Sequence, residues 1–277
     1  MKMKPIVKIL LAAFALAFLG SLVSNVANAA GELDKIKQNG KLRVAVFSDK
    51  PPFGFVDENG ENQGYDIYLA HRLAEDLFGD PSKVEFVLVE AASRIEIVVA
   101  DKADVVLANF TVTPERAEQV DFAKPYMKVA LGVASPSSAP ITEVSQLAGK
   151  KLIVNKGTTA DSYFSKNHPE VELVKYDQNT ESFNALRDGR GVALAHDNTL
   201  LFAWVRANPG YVTGIDFLGD LDNIAPAVKK GNTELLNWLN EEITKLTKEQ
   251  FFQKDYEATL LPVYGESVDL NTVIFTE

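Results

Sequence analysis

Between residues 41 and 117 the chain switches repeatedly between two hydrophobic periods, and this alternation narrows its possible folds more than any other feature. Residues 41–47 (KLRVAVF) and 84–89 (VEFVLV) have strand length and β-branched, apolar content, and residues 105–107 (VVL) start a third such run. Between them, Ile67, Leu69, Ala70, Leu73 and Leu77 fall at near-helical spacing with Gly79 as a stop, and residues 90–99 open a further helix. After Asn109-Phe110-Thr111 another helix begins, with Thr113 as cap, Pro114 at its first position and Glu115 at its positive end. The order β-α-β-α-β-α implies a parallel sheet with crossover helices.

In open sheets of this kind, ligands sit beyond the carboxyl ends of the strands. Phe47, Glu90 and Asn109 fall at those ends, and Arg116 lies in the helical turn just after the third. A guanidinium forks onto a carboxylate through two parallel hydrogen bonds, while the Thr111 hydroxyl and a carbonyl can accept from an ammonium. The constellation therefore suits a small zwitterion. The plain alternative is that Arg116 is a solvated helix charge.

The rest of the chain repeats the pattern. Residues 127–134 are apolar and extended, and SPSSAP at 135–140 suggests a linker. Strands are expected at 151–155, 171–176 and 192–196, with helices at 160–166, at 180–186 capped by Thr180, and at 200–207. Residues 223–228 form a returning strand, followed by helices at 233–246 and 248–260 and an extended tail at 268–275. Pro51 and Pro52 exclude regular structure from 48–55 (SDKPPFGF), and 57–64 is a polar turn. The expectation is an α/β protein of two lobes, the second inserted into the first: lobe 1 at 30–133 and 225–277, lobe 2 at 134–224. Hinge crossings are expected near 133–136 and 223–225.

Residues 1–29 read as a secretory signal peptide, with Lys2, Lys4 and Lys8, an apolar run from Ile9 to Leu19, and Ala27-Asn28-Ala29 as cleavage site. Its removal deletes three lysines and no acid, taking the net charge from −10 to −13. Such a balance argues against nucleic acid and anionic membrane surfaces as partners. The sequence contains no cysteine, hence no lipid-anchor cysteine and no disulfide, so a freely soluble periplasmic protein is expected.

Five segments in order, FSDKPPFGF, QGYDIYLAHRLAEDL, DVVLANFTVTPERAEQVDFAKPYM, KLIVNKGTTADSYF and ALAHDNTLLF, resemble the periplasmic solute-binding proteins that deliver polar amino acids to ABC importers. VEAASR, LANFTVTPERAEQVDF, NKGTTADSYF and KYDQNTESFNAL resemble the cysteine-binding members most. The resemblance implies a two-lobed (type II) periplasmic binding fold that closes by hinge rotation on a free amino acid, with L-cysteine favoured over glutamine, aspartate or glutamate. It implies Arg116 on the ligand α-carboxylate, assisted by Thr111 and Asn109. Thr158 and Thr159, after Gly157, would close on the same carboxylate at a helix start, and Asp197 would pair with the α-ammonium. Phe47, Phe53, Glu90, Arg94 and Phe110 would line the side-chain pocket. The implied partner is a membrane permease, and the protein acts as a monomer without cofactor or metal. Lys50 stands where many relatives carry an aromatic ring, so the covering ring must come from Phe110 or Phe53.

Each assignment has a plainer reading from the residues alone. Asp197, Thr158 and Thr159 can be helix caps. Glu90 and Arg94, four apart, can form an i,i+4 pair. Phe47 and Phe53 can be core. A dehydratase-like enzyme is the runner-up, because some relatives on this architecture are enzymes. Against it, the chain has no G-x-S-x-G, phosphate loop or cysteine nucleophile, and His71, His168 and His196 lack metal-ligand spacing. Glu90 is the acid such a reading would lean on. An adhesin or sensor role has no supporting module.

Overall fold

The computed structural model describes residues 31–275. The expected leader at 1–29 lies outside them. Among these residues no helix is long and apolar enough to cross a membrane.

Strand β1 (Leu42–Phe47) pairs in parallel with β5 (Val84–Val89) on one side and β6 (Val105–Val106) on the other. Side chains along β1 alternate between two cores, as a two-residue period requires. Val44 and Val46 join a large cluster with Leu69 and Leu73 of the helix Tyr65–Phe78, while Ala45 and Phe47 face Val98 and Phe110 on the other side. Two antiparallel strands, β13 (Ala227–Lys229) and β7 (Val120–Phe122), complete a sheet of order β5-β1-β6-β13-β7. The expected loop at 48–55 is partly ordered. Asp49–Lys50 (β2), Gly54–Val56 (β3) and Asn62–Gln63 (β4) form a small antiparallel sheet, because the two prolines lie between its strands rather than in them.

The second sheet has three parallel strands followed by two antiparallel ones, β8 (Met127–Pro136) and β12 (Tyr211–Ile224), the last at its edge. Here β9 (Lys151–Asn155), β10 (Glu172–Tyr176) and β11 (Ala193–Asp197) are parallel and joined by the helices Thr159–Asn167 and Asn179–Arg187. The latter helix starts before its expected cap, and Thr180 N–H instead donates to Asp49 Oδ2 at 3.1 Å.

β8 (Met127–Pro136) corrects the expected linker and crossing. It pairs with β12 (Tyr211–Ile224) from Met127 and with β11 from Leu131, so the chain leaves the first sheet at 123–126 and not at 133–136. Pairing on both sides at 131–134 satisfies its backbone groups there, and β12 alone pairs it on to Pro136. β12 itself is unexpected beyond its last residues. It is an edge strand with several register shifts, and its Gly214, Gly219, Asp216, Asp220 and Asp222 hide the alternation that would announce it.

The end of the chain also differs from expectation. The helix Thr233–Lys248 stops at Gln250, which has a positive φ of 56°, and the helix Phe251–Asp255 follows. The segment after it crosses to the second lobe. Tyr264 Oη donates to the carbonyl of Thr199, Arg206 Nη1 donates to that of Tyr264, and Ile274 bridges to Met127. The residues from 261 on therefore strap the two sheets together rather than belonging to the first alone.

Candidate functional site

The carboxyl end of the first sheet carries a turn held from behind. Asn109 adopts a positive φ of 44° just after β6, and its N–H donates to Asp66 Oδ2 at 2.9 Å. Tyr126 Oη donates to the other Asp66 oxygen at 2.6 Å, so this carboxylate ties the turn to the point where the chain crosses between sheets. Complete burial pushes the Asp66 carboxyl up to about 7, against the Tyr126 hydrogen bond and the Lys50 charge.

After the turn, Thr113 caps the short helix Pro114–Ala117 by accepting from Arg116 N–H, as expected. The cap fixes the root of Arg116, whose guanidinium folds back under the strand end. Nη1 donates to the Thr111 carbonyl at 2.7 Å and Nη2 to the Gly157 carbonyl at 2.9 Å. Arg116 is 9% exposed, so it is not the solvated helix charge of the plain reading. Arg94 joins it, donating to the carbonyls of Ala91, Ala108, Asn109 and, at 3.2 Å, Gly157. The Phe110 ring lies within reach of both guanidiniums, with centroid distances of 4.5 Å to Arg94 and 4.7 Å to Arg116. Desolvation lowers the Arg116 pKa to about 10, which leaves it charged at neutral pH.

The second lobe supplies the opposite wall. Thr158 caps the helix Thr159–Asn167, its Oγ1 accepting from Asp161 N–H at 3.2 Å and donating to the Asn155 carbonyl at 2.7 Å. Thr159 is the first helical residue. Asp197 ends β11, is 4% exposed, and makes no capping bond to the helix after it. Its Oδ2 accepts from Lys50 Nζ at 2.6 Å across the cleft. Burial alone would raise the Asp197 carboxyl, but Lys50 and His196 together outweigh that and hold it well below the usual range. His196 packs with its Nδ1 accepting from Asp197 N–H at 2.7 Å, and burial lowers its pKa.

Thus Arg116, Arg94, Asn109, Phe110, Phe47 and the Thr111 carbonyl come together with Asp197 and the Gly157 carbonyl where the lobes meet, while the Thr158 hydroxyl is spent within its own lobe. Glu90 does not join them: it is exposed at the rim, its N–H donating to Ser93 Oγ, and no Glu90–Arg94 pair forms among the described residues. Phe53 is fully buried, 5.7 Å from Lys50 Nζ to ring centroid. Further contacts close the lobes on each other, with Asp49 accepting from Asn179 Nδ2 and Glu115 from Lys166 Nζ. Sequence reasoning missed three parts of this arrangement. The Gly157 carbonyl carries no side-chain signal. Asp66 is legible only as a buried acid in an otherwise amphipathic helix. Lys50 was noticed as a missing ring, not as a charge.

A cleft between two α/β lobes, lined by buried charges from both, defines a two-lobed binding protein. The chain belongs to the bacterial extracellular solute-binding proteins, family 3, whose sequence profile matches residues 42–259. Among solved structures it is 59% identical, with a TM-score of 0.87, to a solute receptor for L-cysteine of Neisseria gonorrhoeae, covering 88% of this chain and 99% of that one. The cysteine-binding protein of Campylobacter jejuni matches with the same identity, coverage and TM-score. The ABC transporter glutamine-binding protein of Bacillus subtilis is 31% identical over 228 residues, 81% of this chain and 83% of its own length.

Proposed function

We propose that the protein captures free L-cysteine in the periplasm, as a monomer, and delivers it to the permease of an ABC importer. The observation that carries this reading is the burial of Arg94, Arg116, Lys50 and Asp197 in one interlobe cleft. Buried charges cost several kcal/mol each unless paired, and a fold needing only stability does better with apolar residues there. Arg116 uses two of its five donors in the hydrogen bonds described, leaving capacity for a ligand α-carboxylate. The free Asp197 oxygen is available to the α-ammonium. Under this reading Thr158, Thr159, Thr111 and Asn109 would supply polar groups to the ligand, and Phe47 and Phe110 apolar walls. The choice of L-cysteine rests on the two relatives at 59% identity.

The lobes we assign are those of the two main sheets, with rotation about 123–126 and 224–227. Opposite ends of the zwitterion would engage opposite lobes, so binding favours closure because closure adds contacts. A dehydratase-like activity has less support, since Glu90 lies exposed at the rim. Titration calorimetry with reduced L-cysteine tests the proposal. Saturable binding on the micromolar scale, roughly −8 kcal/mol, is expected, together with its loss in Arg116→Ala. Absence of heat with L-cysteine and with the other amino acids would overturn it.

A further inference from the structure

Lys50 stands out among the cleft charges. It belongs to the two-residue strand β2, is 1% exposed, and its Nζ reaches Asp197 Oδ2 at 2.6 Å and Asn109 Oδ1 at 2.7 Å. The rings of Phe47 and Phe53 lie 5.3 and 5.7 Å from the ammonium, so its stem fills apolar space while its charge points into the cleft. Arg94 and Arg116 flank the same space. Against these cations Asp197 is the carboxylate bonded to Lys50; half-buried Asp222 of β12 acts on Arg116, and Asp66 stands behind Asn109 with both oxygens engaged.

Resting on the amino-acid-binding reading above, we propose that Lys50 is the charge filter of the cleft, admitting amino acids with neutral or anionic side chains and rejecting cationic ones. A carboxylate can accept at two oxygens, so Asp197 can hold Lys50 on Oδ2 and a ligand α-ammonium on Oδ1. A ligand with a second cationic group must place it beside Lys50, because Asp197 is already shared between Lys50 and the α-ammonium. There a second cationic group meets Lys50 at close range in a site screened from solvent, where like charges repel far more than in water. Displacing Lys50 gives no escape, because the displaced ammonium is itself buried. The filter therefore acts on charge and not on size.

Two ligands of matched size test this: L-homoserine and L-2,4-diaminobutyrate, which differ in a hydroxyl against an ammonium. Their affinities are measured by competition against L-cysteine on the full mature chain, in wild type, Lys50→Met and Lys50→Arg, with folding checked by thermal melts. Wild type is expected to prefer homoserine by on the order of 100-fold. Lys50→Met should shrink that ratio by on the order of 10-fold or more, and Lys50→Arg, which keeps the charge, should preserve it. A wild-type ratio within a few-fold of one overturns the proposal without recourse to any variant. So does a Lys50→Met ratio equal to that of wild type, or an equal gain for both ligands, which would indicate enlarged space. Wild type that binds L-cysteine yet fails these tests leaves the amino-acid reading standing. Wild type that binds no amino acid removes both.

Discussion

The cleft and the outer face of the first lobe both carry charge networks, and they differ in what surrounds them. On the outer face, Arg72 pairs with Asp76 and Glu249, while Lys245 pairs with Asp76 and Glu242. The Arg72 and Glu249 side chains are 22% and 42% exposed, so water screens that pair. In the cleft, the Lys50 and Asp197 side chains are only 2% and 6% exposed, with Arg94 and Asp66 among the charges that act on Lys50. Similar bond lengths thus describe interactions of different worth. Exposed pairs contribute about 0–1 kcal/mol, whereas removing one partner of a buried pair strands the other at about 3–5 kcal/mol. The outer network tunes a helix surface. The cleft network is costly to hold together, which is why it points to a ligand.

That contrast can be broken most directly at Arg116. Arg116→Ala should reduce amino-acid affinity by at least roughly 100-fold, since it removes a bidentate charge-assisted partner. Circular dichroism should show the fold retained, and unchanged calorimetric affinity would sink the assignment. Asp197→Asn comes next. It should weaken binding by about 2 kcal/mol and lower the melting temperature as well, because Lys50 loses its counter-ion. A variant that melts like wild type and binds like it would demote Asp197 to a helix start.

Asp66 sharpens the comparison through pH. Its folded pKa of about 7 lies above the ordinary carboxylate value, so the folded state holds a proton the unfolded chain has released. Its contribution to stability is therefore full below pH ~4 and lost as the pH rises through about 7, at up to about 1.4 kcal/mol per pH unit. Denaturant titrations from pH 4 to 8 should show this fall, and Asp66→Asn should flatten the slope whatever it does to the absolute level. A wild-type slope shared by the variant would exclude Asp66 as its source. The smallest effect belongs to the outer face: Arg72→Ala should cost about 1 kcal/mol or less and leave ligand affinity untouched. A large affinity change there would mean that the two networks are coupled.

Much of the fold was legible because its strands and first-lobe helices obey their periods cleanly. Residues 84–89 were bounded to the residue, and the helix ending at Gly79 stops where the glycine permits a left-handed turn. What escaped was structure whose determinants lie elsewhere in the chain. β12 is held by β8 and not by its own pattern, and the strap beyond residue 261 owes its course to contacts with Thr199 and Met127. Within the cleft, Arg116 was legible because Thr113 and Pro114 announce its helix. The plain alternatives gained ground at Thr158, which caps its helix, and at Phe53, which is wholly in the core. Glu90 stands apart for a simpler reason. The strand end it occupies is the last in its sheet, so it faces solvent at the edge.

The turn at Gly157 has a further consequence. With φ at +73°, it offers its carbonyl to both arginines, and a β-carbon built there would lie 2.6 Å from Ala92 Cα and 2.9 Å from Ala92 N. The jaws meet main chain on main chain, with less clearance than one methyl group needs. Gly157→Ala would act as a doorstop, holding the mouth ajar without removing a ligand-facing side chain. Such a chain should still load its cargo on one jaw but release it quickly, its residence time shortened far more than its capture rate. On the proposed function, the hydrogen atom at this position would set how long the protein keeps what it catches.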